Sequence, residues 1–244
     1  MTAQPNRLPE ASLSEAGLHL NPSDAECIYS VAEMLVTSLQ DGTALNTEMM
    51  RFAMEDAFGA SDTEGAWIWK DAYEAAEVAQ IMMLDRFGVT MRRQAKSYAR
   101  FLSMISKLAD LVPTQTRRSE DMVAMQQFST PLPLAAIAAN AAGMTNKDLV
   151  LEPSAGTGIL ASFAKSTGAR LALNELSDLR RELLELLFPQ AQVSGHDASS
   201  IDDRLDRSIA PSVVIMNPPF SVAAHVDGKY KAATAKHDLA EKTA

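Results

Sequence analysis

Asn217-Pro218-Pro219-Phe220 follows directly on the apolar run Val213-Val214-Ile215-Met216. An asparagine amide oxygen and the carbonyl of Pro218 can both accept from one incoming NH2 group, because the two prolines fix the backbone that carries them. Phe220 offers a flat apolar face on which a planar base can stack. Such a set draws the lone pair of an aromatic or amide nitrogen toward tetrahedral character, as that nitrogen needs when it attacks a methyl sulfonium. Two prolines after a strand also make an ordinary turn, so the motif needs support from the rest of the chain.

That support begins upstream, in Leu151-Glu152-Pro153-Ser154-Ala155-Gly156-Thr157-Gly158. The segment follows an apolar run and opens a helical one, so its glycines allow a tight turn where backbone can approach a ligand. A glycine turn alone is weak, since many α/β proteins carry one for packing. It lacks the Lys-Ser/Thr of a triphosphate-binding loop. Glu175 ends the next apolar run about 20 residues on, where an acid can accept from a ribose. Asp197, in Gly195-His196-Asp197, ends the third, where a carboxylate can accept from an adenine amino group. Either acid alone is as readily a cap or a surface charge; in register with the glycine turn, the two favour a nucleoside-containing ligand.

The elements that position these residues are legible as alternating strands and helices. Leu149-Val150-Leu151, Leu171-Ala172-Leu173, Ala191-Gln192-Val193 and the run at 213–216 read as strands, with helices over 159–166 and 178–188 between them. In the second helix Leu183, Leu184, Leu186 and Leu187 are expected to face a sheet. Parallel strands joined by helices give an α/β, doubly wound, Rossmann-like layer structure. Before it, residues 1–115 read as all-helical. Ser23 and Glu26 have capping-box spacing ahead of Ile28, Val31, Leu35 and Leu39; Met50, Met54 and Phe58 form a second stripe, and Trp69, Tyr73, Ala76, Met83 and Phe87 a third. These stripes read as core, with Gly59, Gly65 and Gly88 as punctuation. A fourth helix, Met91 to Leu111, sets Tyr98, Leu102 and Ile105 against Arg93, Lys96, Arg100 and Lys107. With Arg117 and Arg118 beyond it, that basic stripe is either a phosphate contact or a solvated face.

The chain has 244 residues, 47% of them hydrophobic, enough to bury a real core, and a net charge of −9. The first 115 residues carry nine basic against sixteen acidic side chains and the remainder thirteen against fifteen, so local patches rather than bulk charge decide whether nucleic acid is bound. One cysteine, Cys27, excludes an internal disulfide. With no signal-peptide pattern and no apolar run long enough to span a bilayer, the expected location is the cytoplasm. No metal site is expected.

Taken together, the glycine turn, the two acids and Asn217 to Phe220 resemble class I S-adenosylmethionine-dependent methyltransferases that modify exocyclic or amide nitrogens. Gln127-Phe128-Ser129-Thr130-Pro131 resembles the F-x-T-P element of N6-adenine DNA methyltransferases. A broader resemblance runs through Gly65-Ala66-Trp67, Lys70-Asp71-Ala72-Tyr73-Glu74, Thr116-Arg117-Arg118-Ser119-Glu120 and the motifs above. It is to the N-terminal methylase region of bacterial strawberry notch-family proteins, in which a helicase-like ATPase follows the methylase. The resemblance implies S-adenosylmethionine as cofactor, with Glu152, Ala155, Gly156 and Gly158 shaping its loop and Glu175 on its ribose. It further implies Asp197 on the cofactor's adenine, and Phe128 and Thr130 near its methionine end. Asn217, Pro218 and Pro219 would orient the target nitrogen, and Phe220 would stack.

The expected organisation is a helical region over 1–115 and a partial methyltransferase domain over 116–244, its sheet stopping at the fourth strand and residues 230–244 forming a further helix. On this reading the chain is the front of a larger methylase and helicase-like protein, with DNA as substrate and a helicase-like ATPase region or chain as a possible partner. The alternative is a catalytically silent module that binds DNA or an ATPase through its helices. RNA and protein glutamine stay open as acceptors.

Overall fold

Ser23 starts the first helix as its spacing predicts: its Oγ accepts from the Glu26 amide at 3.2 Å while Glu26 Oε2 accepts from the Ser23 amide at 2.7 Å. In this computed structural model, which describes residues 22–113 and 129–218 and the backbone of 224–226 and 229–231, that helix is α1 (Asp24–Gln40). It buries Ile28, Val31, Leu35 and Leu39. The second, α2 (Thr47–Phe58), is capped by the Asn46 side chain and buries Met50 and Met54. A 3-10 turn at Asp62–Glu64 leads into α3 (Trp69–Ala95). The indoles of Trp67 and Trp69 donate to the Ala60 carbonyl at 3.0 Å and to Asp62 Oδ2 at 3.1 Å, folding this connection onto the start of α3.

The helix expected from Met91 to Leu111 is instead two. Gly88 does not stop α3, since one glycine costs a helix only about 1 kcal/mol, and the helix continues to Ala95. The break falls at Lys96, left-handed at φ 59°, and Ser97 caps a new helix, α4 (Tyr98–Asp110), by accepting from the Arg100 amide at 3.3 Å. The Arg92 guanidinium lies 4.9 Å from the Tyr98 ring centre and 5.1 Å from that of Phe101, fastening the elbow. The basic stripe is thereby divided: Arg93 is on α3, Lys96 in the elbow, Arg100 and Lys107 on α4, all exposed.

Pro131 precedes α5 (Leu132–Ala142), whose Ala-rich sequence has no two-faced pattern to announce it. There follow β1 (Leu149–Glu152), α6 (Ile159–Ser166), β2 (Arg170–Asn174), α7 (Asp178–Leu187) and β3 (Gln192–Ser194). A 3-10 turn at Ala198–Ser200, the short α8 (Ile201–Arg204) and β4 (Val213–Val214) complete this part. The strands form one parallel sheet in the order β3-β2-β1-β4, with Leu151 level with Ala172 on one side and Val214 on the other. The fold is α/β, as expected. On α7 Leu183, Leu184 and Leu187 are buried, but Leu186 turns to solvent, because four leucines in five positions exceed the arc one helix face subtends. Residues 229–231 are not the start of a helix: β6 (Lys229–Lys231) pairs antiparallel with β5 (Ala224–Val226). The remainder of that expected helix lies outside the described residues. No helix among the described residues is long and apolar enough to cross a membrane.

One hydrophobic cluster runs from α1 through α3 and α4 to the helices and strands of the sheet layer, with α3 against α6 and α1 against α7. A buried ion pair crosses the same boundary. Arg180 of α7, 5% exposed, donates through Nε to Glu74 Oε1 of α3 at 2.6 Å, and Lys70 approaches that oxygen at 3.3 Å. Removing one member strands a buried charge. Arg180→Leu is therefore expected to lower unfolding stability by about 3–5 kcal/mol, whereas Glu74→Leu with Arg180→Leu costs less than the sum of the single changes. Urea unfolding of the four proteins of the cycle measures the difference.

Candidate functional site

The strand order reverses between β1 and β4, so the connections leaving their carboxyl ends diverge and open a crevice. Glu152 closes β1 on one side of it; Asn217 follows β4 on the other. Ser129, Thr130, Glu152, Ser154, Gly156 and Asn217 all line this cleft. It is small, with a cavity volume of about 30 Å3. The Gly156 side is open, since a Cβ placed there meets no atom within 4 Å. A larger cavity of about 490 Å3 lies elsewhere, among α3, α4, α5 and the C-terminal half of α6, and contains none of the expected site residues except Arg93. The convergent polar groups are in the small cleft.

Gly156 and Gly158 both have positive φ, 58° and 96°, as the tight turn requires. They differ in what they face. A Cβ on Gly158 meets Phe188 Cε2 at 2.5 Å and Leu184 Cδ2 at 2.9 Å, so this glycine serves the packing of the loop on α7. Glu175 bridges the turn from the end of β2: Oε2 accepts from the Gly156 amide at 2.8 Å and Oε1 from the Ser177 amide at 2.9 Å. Asp197 is exposed past the end of β3, accepting from the Ser199 amide at 2.9 Å, which holds its carboxyl below the usual carboxylate range; it does not line the cleft. The pairing of Thr130 with the region after β4 is direct, with Asn217 Nδ2 donating to Thr130 Oγ1 at 3.0 Å. Pro218 is exposed beside it. Phe128, Arg117, Arg118, Pro219 and Phe220 lie outside the described residues.

Three further residues matter, and sequence reasoning passed over them. Asn174, 1% exposed, closes β2 with every hydrogen-bonding position used: Nδ2 donates to the Pro153 and His196 carbonyls at 2.9 and 2.8 Å, and Oδ1 accepts from Ser194 Oγ and the His196 amide, both at 2.8 Å. It fixes the ends of three strands relative to one another. Glu77 reaches over from α3, where one oxygen accepts both from Ser129 Oγ at 2.7 Å and from Thr157 Oγ1 at 3.0 Å. The glycine turn and the segment leading to Thr130 are thus held by a single carboxylate. Arg180, paired with Glu74, also lines the cleft. The available signals were an asparagine closing an apolar strand, and acids set in the alanine-rich stripe of Ala72, Ala75, Ala76 and Ala79.

Glu152 is 2% exposed and accepts from the Ala161 amide in the first turn of α6. Its Oε2 has no partner, and neither has the buried Ser154 Oγ; both residues line the cleft. Buried polar atoms of this kind normally have partners, so both are poised to meet a ligand's donors. Burial pushes the Glu152 carboxyl well above the usual carboxylate range, with the Ala161 amide opposing and Glu175 adding to the rise. Burial likewise pushes Glu77 up, against its bonds from Ser129 and Thr157.

Two consequences are measurable. Gly158→Ala forces a clash onto the strained turn and is expected to cost about 3 kcal/mol, while Gly156→Ala pays only for its left-handed backbone, about 1 kcal/mol; denaturant unfolding ranks them. Because Glu152 binds its proton more tightly folded than unfolded, wild-type stability falls as pH rises from the ordinary carboxylate range toward the raised value. Glu152→Gln removes up to about one proton from that slope, read from unfolding curves between acid and neutral pH. Comparison of the chain with family models, with curated proteins and with solved structures found no match in any of the three.

Proposed function

We propose that this chain is an S-adenosylmethionine-dependent amino-methyltransferase of the N6-adenine DNA type, built on a Rossmann-like sheet and forming the front of a larger methylase and helicase-like protein. The observation that carries the reading is the 3.0 Å hydrogen bond from Asn217 Nδ2 to Thr130 Oγ1. It uses one of the amide's two N–H groups and fixes the amide with Oδ1 as an acceptor on a residue that lines the cleft, the polarity an incoming amino group requires.

The residues present fit the cofactor. Glu152 Oε2 and Ser154 Oγ are buried, unpartnered and at the cleft, and Gly156 leaves open space beside the turn. Glu175, with each oxygen on one amide, keeps lone pairs for ribose hydroxyls, and Asp197 at the end of β3 would accept from the adenine. Thr130 would stand near the methionine end. When bound, S-adenosylmethionine supplies a methyl group activated by its sulfonium. The chain's own work is to hold the target nitrogen: Asn217 Oδ1 and the Pro218 carbonyl accept its two N–H bonds, which turns the lone pair toward the methyl group. The proton then leaves to water.

An adenine in duplex DNA reaches such a cleft only when flipped out of the stack. Arg93, Lys96, Arg100 and Lys107, exposed on two helices, are the proposed phosphate contacts, and the cytoplasm is the proposed location.

Transfer of tritium from labelled S-adenosylmethionine to unmethylated DNA, to RNA and to a glutamine-bearing protein, followed by product analysis, tests the reading. Asn217→Ala is expected to lower transfer at least about 100-fold with cofactor affinity almost unchanged. Thr130→Val, which frees the amide to rotate, costs about tenfold. Label on RNA or glutamine alone removes the DNA assignment and keeps the amino-methyltransferase class. A folded protein that binds cofactor and labels nothing removes the enzyme.

A further inference from the structure

Away from the glycine turn, the cavity of about 490 Å3 between α3, α4, α5 and the C-terminal half of α6 has the size of a small-molecule site. Leu84, Val89, Phe101, Met144 and Phe163 give it apolar walls. Within α3 the space is kept open at Gly88, which is buried; a Cβ there meets only Leu84, at 3.8 Å, an ordinary contact. Alanine would fit and would favour the helix. The glycine thus leaves room in a helix that it weakens.

The charged lining comes from one turn of α3. Arg92 and Arg93 line the cavity with Asn140 of α5, and no aspartate or glutamate does. Asn140 Oδ1 accepts from Arg92 Nη2 at 3.2 Å, which leaves Asn140 Nδ2 as a donor. With Tyr98 and Phe101 beneath it as well, the Arg92 guanidinium is fixed before any ligand arrives. Among the described residues neither arginine has a carboxylate within 4.0 Å, and Asp85, one turn before Val89, is taken by Lys165 at 2.6 Å. The other polar lining is spent: the hydroxyls of Ser162, Ser166 and Thr167 donate to the Ile159, Phe163 and Ala164 carbonyls at 2.7, 2.7 and 2.8 Å. In a chain of net charge −9, these two arginines stand at an apolar cavity without an acid to answer them.

We propose that this cavity binds a small organic anion with an apolar body. Its acid group meets Arg92, Arg93 and Asn140 Nδ2, and its hydrocarbon or aromatic part fills the space beside Gly88. A guanidinium fork suits two oxygens of one carboxylate, sulfonate or phosphate ester, and the charge strengthens each bond. The site is separate from the cleft and does not depend on the cofactor reading. Only Arg93 is shared with the proposed DNA contacts. A backbone phosphate meets Arg93 from outside and puts no apolar group in the cavity, so filling the cavity separates the two.

Fluorescence titration of the intact chain with anilinonaphthalene sulfonate, and with its uncharged relative phenylnaphthylamine, reads charge and apolar body separately. The expected result is one sulfonate per chain, displaced by decanoate, with the uncharged compound bound at least about tenfold more weakly. Arg92→Gln and Arg93→Gln each lower affinity for the sulfonate by about tenfold and leave that for the uncharged compound unchanged. Arg92 also fastens the elbow, so Arg93→Gln, which breaks no ion pair among the described residues, gives the same reading without that burden. Gly88→Leu fills the cavity and removes binding of both compounds, and Ala139→Leu does so from the facing helix should Gly88→Leu not fold. Equal affinities for the two compounds, sulfonate binding undiminished by a filled cavity, or no binding by the folded wild-type chain each overturn the inference, and none of them bears on the cofactor.

Discussion

A carboxylate removed from water has to be given a cation, a set of donors or a proton, and the region between the helices and the sheet is organised by how four glutamates meet that requirement. Glu74 takes a guanidinium and an ammonium. Glu77 takes two hydroxyls, Glu175 two backbone amides, and Glu152 one amide, with burial pushing its carboxyl well above the usual carboxylate range. Each solution joins segments remote in sequence. The cleft is accordingly a place where unfavourable burial has been used to fix geometry, and its least satisfied member, Glu152, is the one that borders empty space.

This makes the helical part of the chain a brace behind the cleft. Glu77 and Glu74 stand one turn apart on α3, and together they hold the glycine turn, the segment before α5 and the first turn of α7. The sheet braces it from the other side through Asn174, whose four saturated bonds keep the ends of β1, β2 and β3 in register. A loop held from both sides keeps its amides aimed without reorganisation, the condition under which fixed dipoles contribute most to a reaction.

The strands were legible because each is a short apolar run bounded by turn residues, and α6 and α7 because their lengths are set by Gly158 and Ser177 at one end and by the next run at the other. Motif chemistry singled out Thr130, Asn217 and the glycine turn separately, but not the hydrogen bond that joins Thr130 to Asn217. What stayed hidden has a common cause. The elbow at Lys96 is set by Arg92 folding over two aromatic rings, while Gly88, a stronger local stop signal, is overridden by a helix packed along its length. Glu77, Asn174 and Arg180 act through partners 20 to 106 positions away, and no window of sequence contains both members of such a pair. Leu186 shows the reverse case, where local composition promised more burial than a helix face can supply.

The separation of 106 positions between Glu74 and Arg180 also has a meaning in time. As the chain leaves the ribosome, α3 is complete long before α7 exists, and at about 5–20 residues per second the interval is roughly 5–20 s. Throughout it Glu74 has only Lys70 to answer its charge, and the face meant for α6 and α7 has no cover. The nascent helical segment thus carries a half-answered buried charge and an uncovered apolar face until the arrival of one arginine completes the boundary.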